Sequence, residues 1–150
     1  MKLQVVWITA RSGDKQLAVR ELTEEYAKRL SRFVTTEAKS VVSEEGLLKI
    51  VGGAVGRVPA FVVLLDSRGK QFTSEEFASF IESHQSRGTQ TLLFAVGPAD
   101  GFSETTVKSA NQLLSMGKMT LPHELARVVL LEQLYRAFTI LKGHPYHSGH

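Results

Sequence analysis

The chain has 150 residues, 43% of them apolar, which is enough to bury one core and too few for two, so a single domain over residues 1–150 is expected. It carries no cysteine, which excludes a disulfide scaffold, a thiolate nucleophile and a zinc ribbon and fits a reducing compartment. Eighteen Lys and Arg against fifteen Asp and Glu leave a net charge of +3, a balance that suits a polyanionic partner without demanding one.

The amino-terminal apolar run is interrupted by Gln4 and too short for a secretion signal, and nowhere do about eighteen apolar residues follow one another. A cytoplasmic protein with no membrane span is the expectation. Leu3 to Ile8 reads as a β-branched strand, Ser12, Gly13 and Asp14 as a turn, and Lys15 to Arg32 as a helix with Leu17, Leu22, Tyr26 and Leu30 at helical spacing. Phe33 to Val42 is a more polar strand suited to a sheet edge, and Glu44 to Val55 a helical segment thinned by Gly46, Gly52 and Gly53. Ala60 to Leu65 is apolar enough for a strand covered on both faces, ended by Asp66-Ser67-Arg68-Gly69. Thr73 with Glu76 forms a capping-box pattern before a helix whose buried stripe is Phe77, Phe80 and Ile81 and which runs to Gly88. Thr91 to Val96 is a further buried strand, broken by Gly97 and Pro98. Ser103 to Ser115 reads as a polar helical stretch, Met116 to Leu121 as an apolar loop, and Pro122 to Leu141 as a long helix.

Strands alternating with helices predict an α/β fold around a largely parallel sheet, with ligands bound beyond the carboxyl ends of the strands. The loops after Leu65 and Val96 are therefore the first to consider. The last helix predicts a stripe of Leu125, Val128, Leu131, Tyr135 and Phe138, but Val129, Leu130, Leu134, Ile140 and Leu141 spread beyond it. A helix this apolar needs cover on more than one side, for which a second copy of the chain is a plausible source, giving a homodimer. Glu132 and Arg136, four residues apart, read as a solvated pair.

Gly97-Pro98-Ala99-Asp100-Gly101 invites close approach of a ligand to the backbone, but matches neither the dinucleotide glycine fingerprint nor a P-loop, and a plain turn is the alternative. Asp66 fits a turn or capping role and also a catalytic one, as does His123. The tail His144-Pro145-Tyr146-His147-Ser148-Gly149-His150 has no acidic or cysteine partner for a metal, so none is expected, and it reads either as a frayed terminus or as rings that stack on unpaired bases.

Three segments taken together carry a family likeness: Leu121-Pro122-His123-Glu124-Leu125-Ala126-Arg127-Val128, then Glu132-Gln133-Leu134-Tyr135-Arg136-Ala137, then His144-Pro145-Tyr146-His147. With Leu65-Asp66, Gly69-Lys70 and the glycine loop, they resemble the RlmH family of the SPOUT superfamily, the pseudouridine N3-methyltransferases of large-subunit ribosomal RNA. The resemblance implies a SPOUT-type α/β knot with a carboxy-terminal trefoil knot. It implies S-adenosylmethionine held at Leu65, Gly97 and the stretch Gly117, Lys118, Met119, Thr120, Leu121 and Pro122. It also implies a homodimer in which the tail of one subunit approaches the cofactor pocket of the other, making Arg136, His144, Tyr146 and His147 substrate-side residues, with the ribosome as partner. The chain departs from the family pattern at Pro98, where a second glycine is usual, and in Glu44 to Val58, which is shorter and less basic.

Methyl transfer to pseudouridine N3 requires loss of the ring proton, and His123, His147 or solvent hydroxide are the candidate acceptors. The Arg136 guanidinium suits either a phosphate or the negative charge developing on the base. The alternative from another class is a ribosome-binding or RNA-binding factor that keeps the fold without catalysis. A small-molecule Rossmann enzyme is disfavoured by the missing glycine fingerprint.

Overall fold

The computed structural model describes residues 1–9, 16–53 and 55–148. Their elements are β1 (Lys2–Ile8), α1 (Leu17–Leu30), β2 (Thr35–Val41), α2 (Glu44–Gly52), β3 (Phe61–Gln71), α3 (Ser74–Ser86), β4 (Thr91–Val96), α4 (Glu104–Ser109), β5 (Gln112–Ser115) and α5 (His123–Leu141). The turn expected at Ser12, Gly13 and Asp14 lies outside the described residues, as do Gly149 and His150 of the tail.

The five strands are parallel and form one sheet in the order β2-β1-β4-β3-β5. A parallel sheet needs cover on both faces, and the alternation of side chains along each strand supplies a core on each. Leu3, Val5, Val63, Leu92 and Phe94 point to the face covered by α1, α3 and α5, where they join Leu30, Phe77, Ile81, Leu131 and Phe138. Val6, Val62, Leu64, Leu93 and Ala95 point to the other face, beneath Leu47 of α2 together with Phe102 and Ala110. Leu130, Leu131 and Leu134 of α5 are wholly buried, and each such side chain contributes about 1.5–3 kcal/mol relative to exposure.

The polar strand β2 takes the edge position that its composition predicts. There Lys39 and Lys2 flank Glu37 and hold its carboxyl down at about 2. The capping box at α3 forms as read: Thr73 Oγ1 accepts the Glu76 N–H at 3.1 Å and Glu76 Oε1 accepts the Thr73 N–H at 2.8 Å. No helix among the described residues is long and apolar enough to cross a membrane.

Three elements differ from the sequence reading. β3 does not end at Leu65; it pairs with β5 up to that residue, breaks register, and pairs again at Lys70 and Gln71. The polar stretch Ser103 to Ser115 divides into α4 and β5. Asn111 makes the division: its N–H donates to the Val62 carbonyl at 2.9 Å and its Oδ1 accepts the Val62 N–H at 2.8 Å, so the chain leaves α4 already docked on β3. The buried face of α1 is also rotated from the expected stripe, and that of α5, which keeps Val128, Leu131 and Phe138, is wider than its stripe. Leu17 and Leu22 are exposed while Val19 and Thr23 are buried, and Leu125 is exposed while Leu130, Leu134 and Ala137 are buried, because α5 is wedged between α1 and α3.

Candidate active site

Parallel strands deliver their carboxyl ends to one edge, and at that edge the register break of β3 after Leu65 and the loops after β4 and β5 enclose two cavities that share walls. The larger, about 350 Å³, is bordered by Leu65, Asp66, Gly97, Leu121 and His123. The smaller, about 180 Å³, shares Leu65, Ser67, Leu121 and Ala126 with it and adds Gly117, Lys118, Met119 and Thr120. Pro122 stands outside both walls, just before the first turn of α5, with its carbonyl accepting the Ala126 N–H.

The two glycines at this edge are there for different reasons. A Cβ at Gly97 would lie 3.1 Å from Cε2 and Cζ of Phe102, so the ring fills the space behind the loop. Gly117 adopts φ +129°, a conformation that side-chain-bearing residues rarely take. Its N–H donates to Ser115 Oγ at 3.2 Å, which fixes the turn. The apolar side chains of Met119 and Leu121 remain exposed here.

Asp66 performs the turn role open to it in the sequence reading. Its Oδ1 accepts the Arg68 N–H at 2.8 Å, and the Arg68 guanidinium grips both carboxylate oxygens at 3.0 Å while reaching Glu104 at 3.2 Å. The guanidinium beside it holds the Asp66 carboxyl below the usual range. The break in β3 is thereby tied to the start of α4. A second tie, Glu44 Oε1 to the Ser103 N–H at 2.8 Å, fixes the far end of the Gly97–Phe102 loop to α2. Trp7 and Arg127 meet close by: the Arg127 guanidinium, almost wholly buried, lies 4.5 Å from the Trp7 ring centroid.

The remaining candidates gather at the opposite end of α5. His123 and Arg136 are thirteen positions apart on that helix, about 20 Å at 1.5 Å per residue. The tail folds back there and does not fray through Ser148. The His144 N–H donates to the Thr139 carbonyl at 2.9 Å, and Tyr146 packs edge-on against Tyr135 with ring centroids 4.7 Å apart. Glu132 and Arg136 are not a solvated pair; both are largely buried. Glu132 Oε1 accepts Arg136 Nη2 at 2.6 Å, Arg136 Nε at 3.0 Å and the Tyr146 hydroxyl at 3.0 Å. Burial, followed by the carboxylate of Glu132, pushes the Tyr146 phenol well above its ordinary value. His147 joins Arg136 Nη1 at 2.9 Å through Nδ1 and Glu75 Oε1 at 2.8 Å through Nε2. That hydrogen bond holds the Glu75 carboxyl below its usual range. Sequence reading missed Glu75, and no local signal marks it, because it sits 72 positions from His147. Among the described residues no group of three or more acidic or histidine side chains is arranged to hold a metal ion.

The Predicted SPOUT methyltransferase family matches residues 1–147. The chain belongs to the SPOUT methyltransferase family. Within that family it is similar over its whole length to the Ribosomal RNA large subunit methyltransferase H of Koribacter versatilis, at 59% identity with all of both chains covered. The protein of the same name from Geobacter sp. is 38% identical over 98% of this chain and 99% of the relative. Among solved structures, the SpoU methyltransferase AviRb of Streptomyces viridochromogenes in complex with AdoMet superposes on 91% of this chain and 57% of its own. The TM-score is 0.51 at 16% identity, a likeness of fold. In this SPOUT methyltransferase the cavity edge and the tail cluster are thus the two ends of one helix.

Proposed function

We propose that this SPOUT methyltransferase transfers a methyl group from S-adenosylmethionine to N3 of a pseudouridine in large-subunit ribosomal RNA, acting in the cytoplasm as one domain per chain and two chains per enzyme. The observation that carries the reading is the pair of adjoining cavities framed by the register break of β3 and the loops after β4 and β5. Their combined size is in the range of small-ligand pockets. Gly97 and Gly117 let a ligand approach the backbone, and the exposed Met119 and Leu121 offer an apolar cover. The residues therefore fit the cofactor, and Leu65, Gly97, Gly117, Lys118, Met119, Thr120 and Leu121 would hold it, with Pro122 outside the walls setting the turn into α5. When bound, S-adenosylmethionine supplies a methyl group on a sulfonium leaving group. The chain's part is to bring the pseudouridine nitrogen to about 3–3.5 Å from the methyl carbon and to exclude water.

The length of α5 supports the dimer. Arg136 lies about 20 Å from His123 along the helix, beyond the reach of its side chain, and His147 and Tyr146 are bonded to the same end through Arg136 and Glu132. We infer that these residues and His144 serve the cavity of a second copy, where Arg136 binds a backbone phosphate or the charge developing on the base and the His144 and Tyr146 rings contact RNA. Both ring nitrogens of His147 are engaged in the chain itself. His123, at the cavity wall, is then the better placed proton acceptor, beside solvent hydroxide. A tight backbone crossing, in which a Cβ at Gly69 would lie 2.5 Å from the backbone of Leu113 and Leu114, supports the threaded carboxy-terminal trefoil knot.

The test is transfer of a labelled methyl group to ribosomes lacking their large-subunit pseudouridine methylation, with the modified nucleotide mapped by mass spectrometry. Label at one pseudouridine is expected. Cofactor binding without label would replace the substrate named here, and absence of both would favour a binding factor.

A further inference from the structure

The tail holds its polar groups in a fixed protonation pattern, and that pattern can be derived from donors and acceptors alone. A guanidinium only donates hydrogen bonds and a carboxylate only accepts them. His147 Nδ1 faces Arg136 Nη1 at 2.9 Å, so Nδ1 carries the lone pair; Nε2 faces Glu75 Oε1 at 2.8 Å, so Nε2 carries the proton. The ring is neutral and is the Nε2–H tautomer. Protonating Nδ1 would set a hydrogen against a cation.

Glu132 does for Arg136 what Glu75 does for His147. Its Oε1 takes Arg136 through both Nε and Nη2 and takes the Tyr146 hydroxyl as well, while Oε2 accepts Gln133 Nε2 at 3.0 Å. With one Nη1 N–H given to His147, Arg136 is left with the second Nη1 N–H to direct elsewhere. Two carboxylates from different helices, Glu75 in the first turn of α3 and Glu132 in the middle of α5, thus set the presentation of three tail-side groups.

We propose that Glu75 and Glu132 are positioning residues for RNA: Glu75, with Arg136 on the opposite ring nitrogen, fixes the tautomer and orientation of His147, and Glu132 fixes the guanidinium plane of Arg136 and the ring of Tyr146. This rests on the reading of the tail as the RNA-contacting end of the enzyme. Neither carboxylate touches substrate. Each removes rotamers that a free arginine or histidine at a chain end would otherwise sample, so the cost of ordering them is met before RNA arrives.

Two measurements on the full-length protein test it. The first, nitrogen-15 spectroscopy of the histidine rings, needs no RNA: His147 is expected as the Nε2–H tautomer, and Glu75→Ala, which leaves Arg136 on Nδ1, is expected to move the Nε2 resonance and speed exchange of its proton with water. The second is methyl transfer to ribosomes. Glu75→Ala and Glu132→Ala are each expected to raise the KM for ribosomes by about ten-fold, the size of one lost charge-assisted hydrogen bond, with the Kd for S-adenosylmethionine unchanged. Glu75→Gln, whose amide oxygen still accepts from Nε2, is expected to recover most of the loss. An Nε2 signal and a KM indifferent to Glu75→Ala overturn the proposal, and so does an equal loss of cofactor binding, which would mark plain damage to the fold. Wild-type protein that shows the expected tautomer but methylates no ribosome would instead remove the functional reading beneath it.

Discussion

Gly69 passes so close to Leu114 that a Cβ on the former would lie 2.5 Å from the backbone nitrogen of the latter. The obstacle is backbone on β5, which cannot rotate aside as a side chain can. Gly69→Ala is expected to cost about 1–3 kcal/mol, the range for overpacking a filled site, and to lower the thermal midpoint by about 5 °C. Thermal unfolding followed by circular dichroism checks this, and an unchanged midpoint would mean that β3 and β5 separate more easily than their register suggests.

At Gly97 the neighbour is the Phe102 ring, which can yield by a few tenths of an ångström. Gly97→Ala is therefore expected to fold normally but to weaken S-adenosylmethionine binding about ten-fold, or about 1.4 kcal/mol, because loop and ring shift together. Combining it with Phe102→Leu is expected to restore much of the affinity, and calorimetric titration of the four proteins measures the coupling directly.

His84 is fully buried, with Nδ1 2.8 Å from Thr89 Oγ1 and the ring 4.3 Å from Phe61 and 4.7 Å from Phe80. Desolvation, with a smaller contribution from Arg87, lowers its pKa below the ordinary 6.5. A histidine depressed in the folded state binds its proton more readily when unfolded, so its stabilising contribution is complete above about pH 6.5 and is lost as pH falls from there through the folded value. Urea midpoints measured between pH 7.5 and 5 are expected to fall with acidity in the natural protein and to fall less in His84→Phe. Parallel slopes would place the sensitivity elsewhere.

Arg136→Lys keeps the charge and loses the fork that Glu132 grips at two nitrogens. Transfer is expected to drop about 10²-fold, as for a reacting group misplaced by an ångström, with no change in cofactor affinity. Single-turnover methylation paired with cofactor titration separates the two. Unchanged turnover would remove Arg136 from the site.

The strands of the interior were legible because burial on both faces leaves runs such as Ala60 to Leu65 and Thr91 to Val96 almost without polar residues. β5 was not, since its four residues follow a polar stretch and become a strand only when Asn111 finds Val62. Leu22 and Leu125 satisfied helical spacing and still faced outward, because spacing defines a stripe whereas the neighbouring helices decide which stripe is used. The walls of the cavity were foreseen by resemblance and by the rule of strand ends; the hold of Glu75 on His147 was not, because it joins positions that only the folded chain brings together.

Helix α5 carries the cavity wall at His123 and Ala126 and the tail anchors at Glu132 and Arg136, and this makes it a gauge as well as a core element. One inserted residue between them would turn the anchors by about 100° and lengthen the gap by 1.5 Å. Four would nearly restore the facing but leave the anchors about 6 Å too far along. Neither error is repaired by local repacking, because one end is fixed by the sheet edge and the other by α3. A change of length between α2 and β3 would leave this spacing untouched, whereas one between Leu121 and His147 would not.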